Sequence, residues 1–177
     1  MKGIPGTIGG ALHFNAGAYG LEIGERVESV LALNPDGSLE TLAHEKLQFQ
    51  YRNTPALRDK ITLQARFRMT RMDIRKIAEK VIQLKHERAK AYPKLPNAGC
   101  IFKNPERDYA GKMIDELGLK GYRQGGAAVS EKHANFIVNA GSAKSADVLS
   151  LIDAVRKKVY DEKKVLLENE VEVIGED

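Results

Sequence analysis

Three residues that lie far apart in the chain have side chains suited to chemistry: Arg52, Cys100 and Glu170. The guanidinium of an arginine is permanently charged and forks onto the two oxygens of a carboxylate. A thiol ionises near pH ~8.5 and can donate a proton. From the residues alone, each has an ordinary alternative: a surface arginine, a small buried hydrophobe, and one of three glutamates (with Glu168 and Glu172) on a solvated strand.

The glycine-rich opening of the chain is a second candidate for chemistry. It reads Gly-Ile-Pro-Gly-Thr-Ile-Gly-Gly-Ala from residue 3, followed by Asn-Ala-Gly-Ala-Tyr-Gly from residue 15. Backbone without side chains reaches positive φ and approaches a ligand closely, with amide N–H groups available to phosphate oxygens. A run of turns between strands is the alternative, and it is the more frequent fate of an isolated stretch of this kind.

Taken together, these segments resemble one family in their order along the chain. The glycine-rich opening, Tyr-Arg-Asn-Thr at 51–54, Gly-Cys-Ile-Phe-Lys-Asn-Pro at 99–105, residues 119–135 and Leu-Glu-Asn-Glu-Val at 167–171 are similar to UDP-N-acetylenolpyruvoylglucosamine reductase, the MurB family of peptidoglycan synthesis. The resemblance implies reduction of UDP-N-acetylglucosamine enolpyruvate to UDP-N-acetylmuramate, with FAD and NADPH as cofactors. In that family a flavin-binding region precedes this loop. We expect that region to be missing here or to be supplied as a separate chain.

The resemblance also implies a role for individual residues. Arg52 binds and polarises the substrate carboxylate, Cys100 delivers a proton to the adjacent carbon, and Glu170 helps Arg52 to stabilise the enolate-like intermediate. Substrate contacts are implied for Tyr51, Lys103, Asn104 and Gln124, and more weakly for Tyr122, Lys120 and His133. Flavin contacts are implied for Gly3, Ile4, Pro5, Gly6, Thr7, Gly9, Gly10, Asn15, Gly17, Ala18 and Tyr19.

Two departures from the family pattern concern this site. Cys100 stands where the family usually has serine; because a thiol is more acidic than an alcohol, we expect proton donation to persist, with a limit at alkaline pH where the thiolate has no proton to give. Asn169 stands where the family has proline, so we expect a less rigid backbone beside Glu170.

The composition excludes several classes of protein. The 177 residues include 28 basic and 24 acidic side chains, giving a net charge of +4 and a pI near 9.1. Because the two signs are interspersed, nucleic acid is not an expected partner. One cysteine excludes an internal disulfide, and no apolar run approaches the ~20 residues that cross a bilayer. The sequence predicts a cytoplasmic globular protein without membrane insertion and without a metal site.

The apolar pattern predicts the elements that position these residues in the first half. Residues 26–33 read as a strand that enters a hairpin through Asn-Pro-Asp-Gly-Ser at 34–38. Residues 61–69 alternate between apolar and polar, which predicts a strand with one buried face. Helical spacing begins at Asp73 and fades near Lys90, where Pro93 and Pro96 mark a linker. We expect a domain boundary near residue 90.

In the second half, the pattern predicts a short helix from Asp108 to Leu117 and a strand at 135–139. Ser145 is the expected cap of a long helix whose basic end is Arg-Lys-Lys at 156–158. A final strand is expected over 166–174. The fold class is therefore α+β: residues 1–90 as part of an FAD-binding (PCMH/VAO-like) domain, and 91–177 as the MurB-type C-terminal, substrate-binding domain, the architecture that the resemblance implies.

Two alternatives to the reductase remain open at this stage. One is a truncated, non-catalytic remnant that at most binds a UDP-sugar, and it predicts a first half with exposed apolar strands. The other is a basic nucleic-acid-binding module, which only the high pI favours.

Overall fold

The computed structural model describes residues 3–175 and divides the chain into two compact units, which meet in sequence at Lys85 and His86. The fold is a mixture of helices and antiparallel strands, as the sequence predicts. The division lies a few residues before the expected boundary at 90. Helix α3 (Ile74–Ala91) runs across this point and ends two residues before Pro93.

The first unit is built on a three-stranded antiparallel sheet with strand order β4-β3-β5. Its elements, in chain order, are α1 (Ile8–His13), β1 (Gly17–Ala18), β2 (Leu21–Glu22), a 3-10 turn (Ile23–Arg26), β3 (Val27–Leu33), β4 (Leu39–Ala43), α2 (His44–Leu47), a second 3-10 turn (Pro55–Leu57), β5 (Ile61–Phe67) and the start of α3 (Ile74–Ala91). The predicted strand and hairpin at 26–38 are confirmed as β3 and its turn into β4.

Part of the glycine-rich opening is helical, where we expected a loop. Helix α1 begins after Thr7, whose side-chain oxygen accepts a hydrogen bond from the Gly10 N–H at 3.1 Å. Glycine disfavours a helix interior, but the Thr7 cap and the fully buried Leu12 supply the compensating interactions.

Strand β5 exists where the alternation predicts it, and Ala65 and Phe67 of the predicted buried face pack against the core, but the prediction is wrong for the other three residues. Ile61, Leu63 and Met69 are 62%, 51% and 79% exposed. The β3–β5 register shifts where Leu31 pairs with Gln64 and Ala32 pairs with Thr62, so Leu63 is the additional residue of a bulge. The bulge reverses the alternation, and Thr62 turns inward together with Ala65 and Phe67.

The second unit packs two helices against a four-stranded antiparallel sheet with strand order β6-β9-β8-β7. Its elements are β6 (Asn97–Cys100), α4 (Ala110–Glu116), β7 (Arg123–Gln124), β8 (Ala127–Val129), β9 (Phe136–Asn139) and α5 (Ser145–Lys163). Helix α5 supplies four buried residues to the core: Leu151, Ile152, Val155 and Val159. The predicted short helix, strand and long helix are confirmed in this unit.

Two details of the second unit differ from the sequence prediction. Helix α5 starts at Ser145, one residue after its cap, and runs to Lys163, so the basic residues 156–158 lie within it and not at its end. The stretch 166–174 is not a regular strand, because one isolated bridge, between Asn169 and Phe102, is its only β-pairing in the described chain. Leu167 is buried there, whereas Ile174 is almost fully exposed.

Candidate active site

The second unit brings the segments that carry Cys100 and Glu170 into direct contact, although seventy positions separate them in the sequence. Cys100 ends β6, paired with Phe136 of β9. The next residue, Ile101, accepts a hydrogen bond at its carbonyl from the Glu170 N–H at 2.7 Å. Lys103 N–H donates to the Glu168 carbonyl at 2.9 Å, on the other side of the Phe102–Asn169 bridge. Both residues are partly exposed, so a ligand can reach them.

The chain beyond Cys100 is held by Asn135, which lies just before β9. The Asn135 carbonyl accepts from the Ile101 N–H at 2.9 Å. The Asn135 side chain binds both main-chain groups of Phe102: Oδ1 accepts from the Phe102 N–H at 2.9 Å, and Nδ2 donates to the Phe102 carbonyl at 2.8 Å. The segment after the candidate proton donor is thus fixed through its backbone.

Arg156 of α5 anchors the segment of Asn169 and Glu170, which lies beside Phe102. Its guanidinium donates to Asn169 Oδ1 at 2.7 Å and lies over the Phe102 ring, with Cζ 6.0 Å from the ring centroid. It also pairs with Asp153 at 2.7 Å. Asn169 is therefore anchored by a charged hydrogen bond beside Glu170.

The four predicted substrate contacts occupy different surroundings. Asn104 Oδ1 accepts from the Ala110 N–H at 3.1 Å and so supports the start of α4, and Lys103 pairs with Glu168 at 3.5 Å. Gln124, at the end of β7, donates to the Tyr122 hydroxyl at 3.4 Å. Tyr51 belongs to the first unit. These assignments remain predictions.

The turn after Gln124 is shaped by α5. A Cβ on Gly126 would lie 2.4 Å from the Ala143 nitrogen, so only glycine fits there. Asp147 accepts from the N–H groups of Lys144 at 3.0 Å and Gly126 at 3.2 Å. These two bonds, Lys144 first, hold the pKa of the Asp147 carboxyl below its usual value.

His133 is a packed aromatic residue. Its ring stacks on Tyr92 at 5.6 Å between centroids and meets Phe136 edge-on at 4.9 Å. Burial, and after it the charge of Lys120, lower the pKa of His133 below its usual value of 6.5. Lys120 itself pairs with Asp115 at 2.6 Å. Both residues have the contacts of structural side chains.

In the first unit, Arg52 contacts the second part of the glycine-rich region. Its Nη2 donates to the Gly17 carbonyl at 3.4 Å, its Nη1 lies 3.8 Å from Glu22 Oε1, and its guanidinium lies 4.8 Å from the Tyr51 ring centroid. Arg52 also has a positive φ of 54°. The structure therefore brings Arg52, Tyr51 and the predicted flavin contact Gly17 together.

Asn15, a predicted flavin contact, lies at the buried centre of this region. Its Nδ2 donates to Glu22 Oε2 at 2.6 Å and to the Gln50 carbonyl at 3.0 Å, while Oδ1 accepts from the Gly24 N–H at 3.0 Å. Its side chain is almost fully buried. Asn15 thus joins three segments of the first unit, a task that its sequence context did not indicate.

The glycines of the predicted flavin loop fall into two groups. A Cβ on Gly17 would lie 2.8 Å from the Leu21 carbonyl, because Gly17 pairs with Glu22 in a tight hairpin whose turn residues, Tyr19 and Gly20, both have positive φ. Gly6, with φ of +123°, has open space at the Cβ position. The open space at Gly6 leaves room for close approach of a ligand, whereas the fold itself requires glycine at 17.

A groove in the second unit lies outside the segments that carry the predicted catalytic residues. This groove, of about 390 Å³, is lined by Lys94, Arg123, Ala128, Lys132 and Val138 among others, and it contains none of the predicted catalytic residues. Residues 3–175 contain no cluster of His, Cys, Asp or Glu that could hold a metal ion. Among the same residues, no helix is long and apolar enough to cross a membrane.

Comparison with known proteins gives consistent results. Residues 90–174 match the C-terminal domain of UDP-N-acetylenolpyruvoylglucosamine reductase. The chain is 43% identical over 178 residues to UDP-N-acetylenolpyruvoylglucosamine reductase of Bacillus pumilus, covering 99% of this chain and 59% of that protein. It is 50% identical over 178 residues to the protein of the same name from Thermotoga maritima, covering 97% and 61%.

A solved structure agrees with these matches. The crystal structure of UDP-N-acetylenolpyruvylglucosamine reductase (MurB) from Thermus caldophilus has a TM-score of 0.85 and 37% identity, covering 97% of this chain and 61% of that one. The chain therefore spans about three fifths of the length of the relatives that it matches.

Proposed function

The chain belongs to the UDP-N-acetylenolpyruvoylglucosamine reductase family over the region compared, and we propose on that ground that it takes part in reducing UDP-N-acetylglucosamine enolpyruvate to UDP-N-acetylmuramate for peptidoglycan synthesis. The proposal includes FAD and NADPH as cofactors. The structural observation that supports it most directly is the 2.7 Å hydrogen bond from the Glu170 N–H to the Ile101 carbonyl, which joins the segments of the two proposed catalytic residues of the second unit.

In the second unit, we assign the proton-donating step to the Cys100 thiol. A proton moves from Sγ to the α-carbon of the enolpyruvyl group, and the thiolate is left to be reprotonated by solvent. Partial exposure of Cys100 permits both events. The Glu170 side chain, on the neighbouring segment, is the proposed stabiliser of the enolate-like intermediate.

In the first unit, we assign carboxylate binding to Arg52. Its guanidinium contacts two oxygen acceptors, the Gly17 carbonyl at 3.4 Å and the Glu22 carboxylate at 3.8 Å, and these contacts orient it for the proposed role. When bound, the flavin supplies the hydride. Gly6, Thr7 and Tyr19 are among the residues proposed to hold it; the turn residue Tyr19 is half-exposed and can cover an aromatic ring.

The first experiment is a titration of the purified chain with FAD, followed by visible absorption. Where flavin binds, stopped-flow spectroscopy measures its reduction by NADPH and its reoxidation by the enolpyruvyl substrate. Cys100→Ala is expected to permit reduction and to slow reoxidation by at least about a hundredfold. Cys100→Ser, the matched control, keeps a proton and is expected to reoxidise. Unimpaired reoxidation in Cys100→Ala would remove Cys100 from the mechanism.

Arg52→Lys tests the first unit in the same assay. A lysine keeps the charge but cannot fork onto two oxygens, so turnover is expected to fall by at least about tenfold. A rate near that of the unaltered chain would exclude Arg52 from the site.

A second candidate function is binding of a UDP-sugar without turnover. The exposed apolar residues Ile61, Leu63 and Met69 favour it, because they match the first half expected of a non-catalytic remnant. Calorimetric binding of a UDP-sugar by a chain that takes up no FAD would support this candidate. Stoichiometric FAD binding followed by substrate reduction would reject it.

A further inference from the structure

The β-ladder beside Cys100 stops abruptly, and a side chain continues it. Cys100 pairs with Phe136, and the Ile101 N–H still donates to a main-chain carbonyl, that of Asn135. At Phe102 the main-chain partner is replaced by the Asn135 carboxamide, which accepts from the Phe102 N–H and donates to the Phe102 carbonyl. One side chain thus reproduces the paired bonds that an opposing strand residue forms in an antiparallel ladder.

The contact between Asn135 and Phe102 is buried, so the loss of its hydrogen bonds is costly. Asn135 is 2% exposed and Phe102 is equally buried, so water does not replace a lost bond on either side. The amide of Asn135 also fits only one way round, because Oδ1 must face the Phe102 N–H and Nδ2 must face the carbonyl. The contact therefore fixes both the position and the direction of the peptide units that follow Cys100.

We infer that Asn135 is the positioning residue of the proton-donor segment: it fixes the backbone immediately after Cys100, while the pairing with Phe136 holds Cys100 itself. The inference rests on the proposed role of Cys100. Asn135 acts through the backbone of Ile101 and Phe102. With the peptides after Cys100 fixed in this way, rotation about its own side-chain bond is a main freedom of the Cys100 thiol.

The hydrogen bonds between Asn135 and Phe102, which we call the Asn135 clamp, also affect the segment that carries Glu170. Ile101, whose N–H is held by Asn135, accepts the hydrogen bond of the Glu170 N–H, and Phe102 forms the bridge with Asn169. Loosening Asn135 therefore displaces Cys100 and Glu170 together. The sequence analysis gave Asn135 no role, because its partners are main-chain atoms about thirty positions earlier in the chain.

Cys100 is the single cysteine of the chain, so alkylation by iodoacetamide reports on its position without any cofactor. In Asn135→Asp the carboxylate still accepts from the Phe102 N–H, but an oxygen now opposes the Phe102 carbonyl. We expect the pH-independent alkylation rate constant, taken from a full pH profile, to rise by at least about threefold as the segment loosens. An unchanged or slower rate constant in a folded variant would overturn the inference.

Asn139→Asp is the matched control. Asn139 Oδ1 only accepts, from the N–H groups of Gly141 at 3.0 Å and Ala143 at 3.2 Å, and a carboxylate keeps both bonds. The alkylation rate constant of this variant is expected to equal that of the unaltered chain.

If Asn135→Asp does not fold, hydrogen exchange in the unaltered chain decides the question. The Asn135 carboxamide protons and the Phe102 amide proton should exchange as slowly as the amides of β9, and rapid exchange of either would refute the clamp. Neither measurement needs flavin. Unimpaired reoxidation in Cys100→Ala would therefore defeat the proposed function while leaving the alkylation and exchange results intact.

Discussion

The two units use the same kind of sheet but bury it differently. In the second unit, every residue of β8 and the first three residues of β9 are buried, and α5 packs against β8. In the first unit, no residue of β5 is fully buried, and a polar network around Asn15 lies at the centre of the glycine-rich region. Alternation of apolar residues therefore predicts a strand, but burial depends on register and on what lies above each face.

The largest expected effect is in the apolar core of the second unit. Leu151→Ala removes a fully buried side chain of α5 and should lower the free energy of unfolding by about 3 kcal/mol. Leu63→Ala, on the exposed side of β5, should change it by no more than about 0.5 kcal/mol. Denaturant unfolding followed by circular dichroism measures both, with Leu149→Ala as the exposed control on α5. Equal losses of unfolding free energy in Leu151→Ala and Leu63→Ala would contradict the difference in burial between the two units.

The second effect tests the polar centre of the first unit. Asn15→Ala removes three hydrogen bonds. It also places alanine at a φ of 42°, a left-handed backbone conformation that asparagine adopts more readily than alanine. We expect a loss of about 2 kcal/mol in the same unfolding assay. Asn53→Ala, whose carboxamide makes one long, exposed contact to Gln50 at 3.4 Å, is the control and should lose far less. A negligible loss at Asn15 would contradict its role as the centre of the network.

The third prediction is a stabilisation that follows from the bulge in β5. Thr62 turns inward there, and its hydroxyl is buried without a hydrogen-bond partner in the described structure. Thr62→Val replaces that hydroxyl with a methyl group of similar size and should raise the free energy of unfolding by about 1 kcal/mol. Thr41→Val, at an exposed position of β4, should be close to neutral. Destabilisation by Thr62→Val would mean that Thr62 does not face inward.

The smallest expected effect is on the pH dependence of the second unit. Because the pKa of His133 is lowered in the folded chain, the unfolded chain binds more protons as the pH falls below 6.5. The contribution of His133 is complete above pH 6.5 and is lost as the pH falls toward the folded-state pKa. His133→Gln should flatten the stability profile between pH 5 and 7, about where histidines titrate. An identical slope in both proteins would show that His133 titrates normally.

The sequence predicted the elements whose pattern is local. The spacing of Val155 and Val159 with the other apolar residues of α5, and the turn before β4, needed no distant partner to be recognised. Helix α1 was missed because its glycines disfavour a helix unless Thr7 caps it and Leu12 is buried. The bulge at Leu63 was missed because register is set by the neighbouring strand, β3.

The candidate site, too, was predicted only in part from the sequence. Arg52, Cys100 and Glu170 were identified from their neighbours in sequence through the family resemblance, and they remain predictions. Asn135 and Arg156 were not identified, because each acts on a segment that is remote in sequence: Asn135 on the backbone of Phe102 and Arg156 on Asn169. No periodicity encodes a contact of that kind.

The clamp formed by Asn135 has an evolutionary consequence. The carboxamide recognises main-chain atoms, which every amino acid except proline provides in the same form. The contact between Asn135 and Phe102 therefore does not depend on which side chain stands at position 100. A single-nucleotide change converts a serine codon into a cysteine codon, so one mutation can alter the acidity of the proposed proton donor while the Asn135–Phe102 hydrogen bonds stay the same.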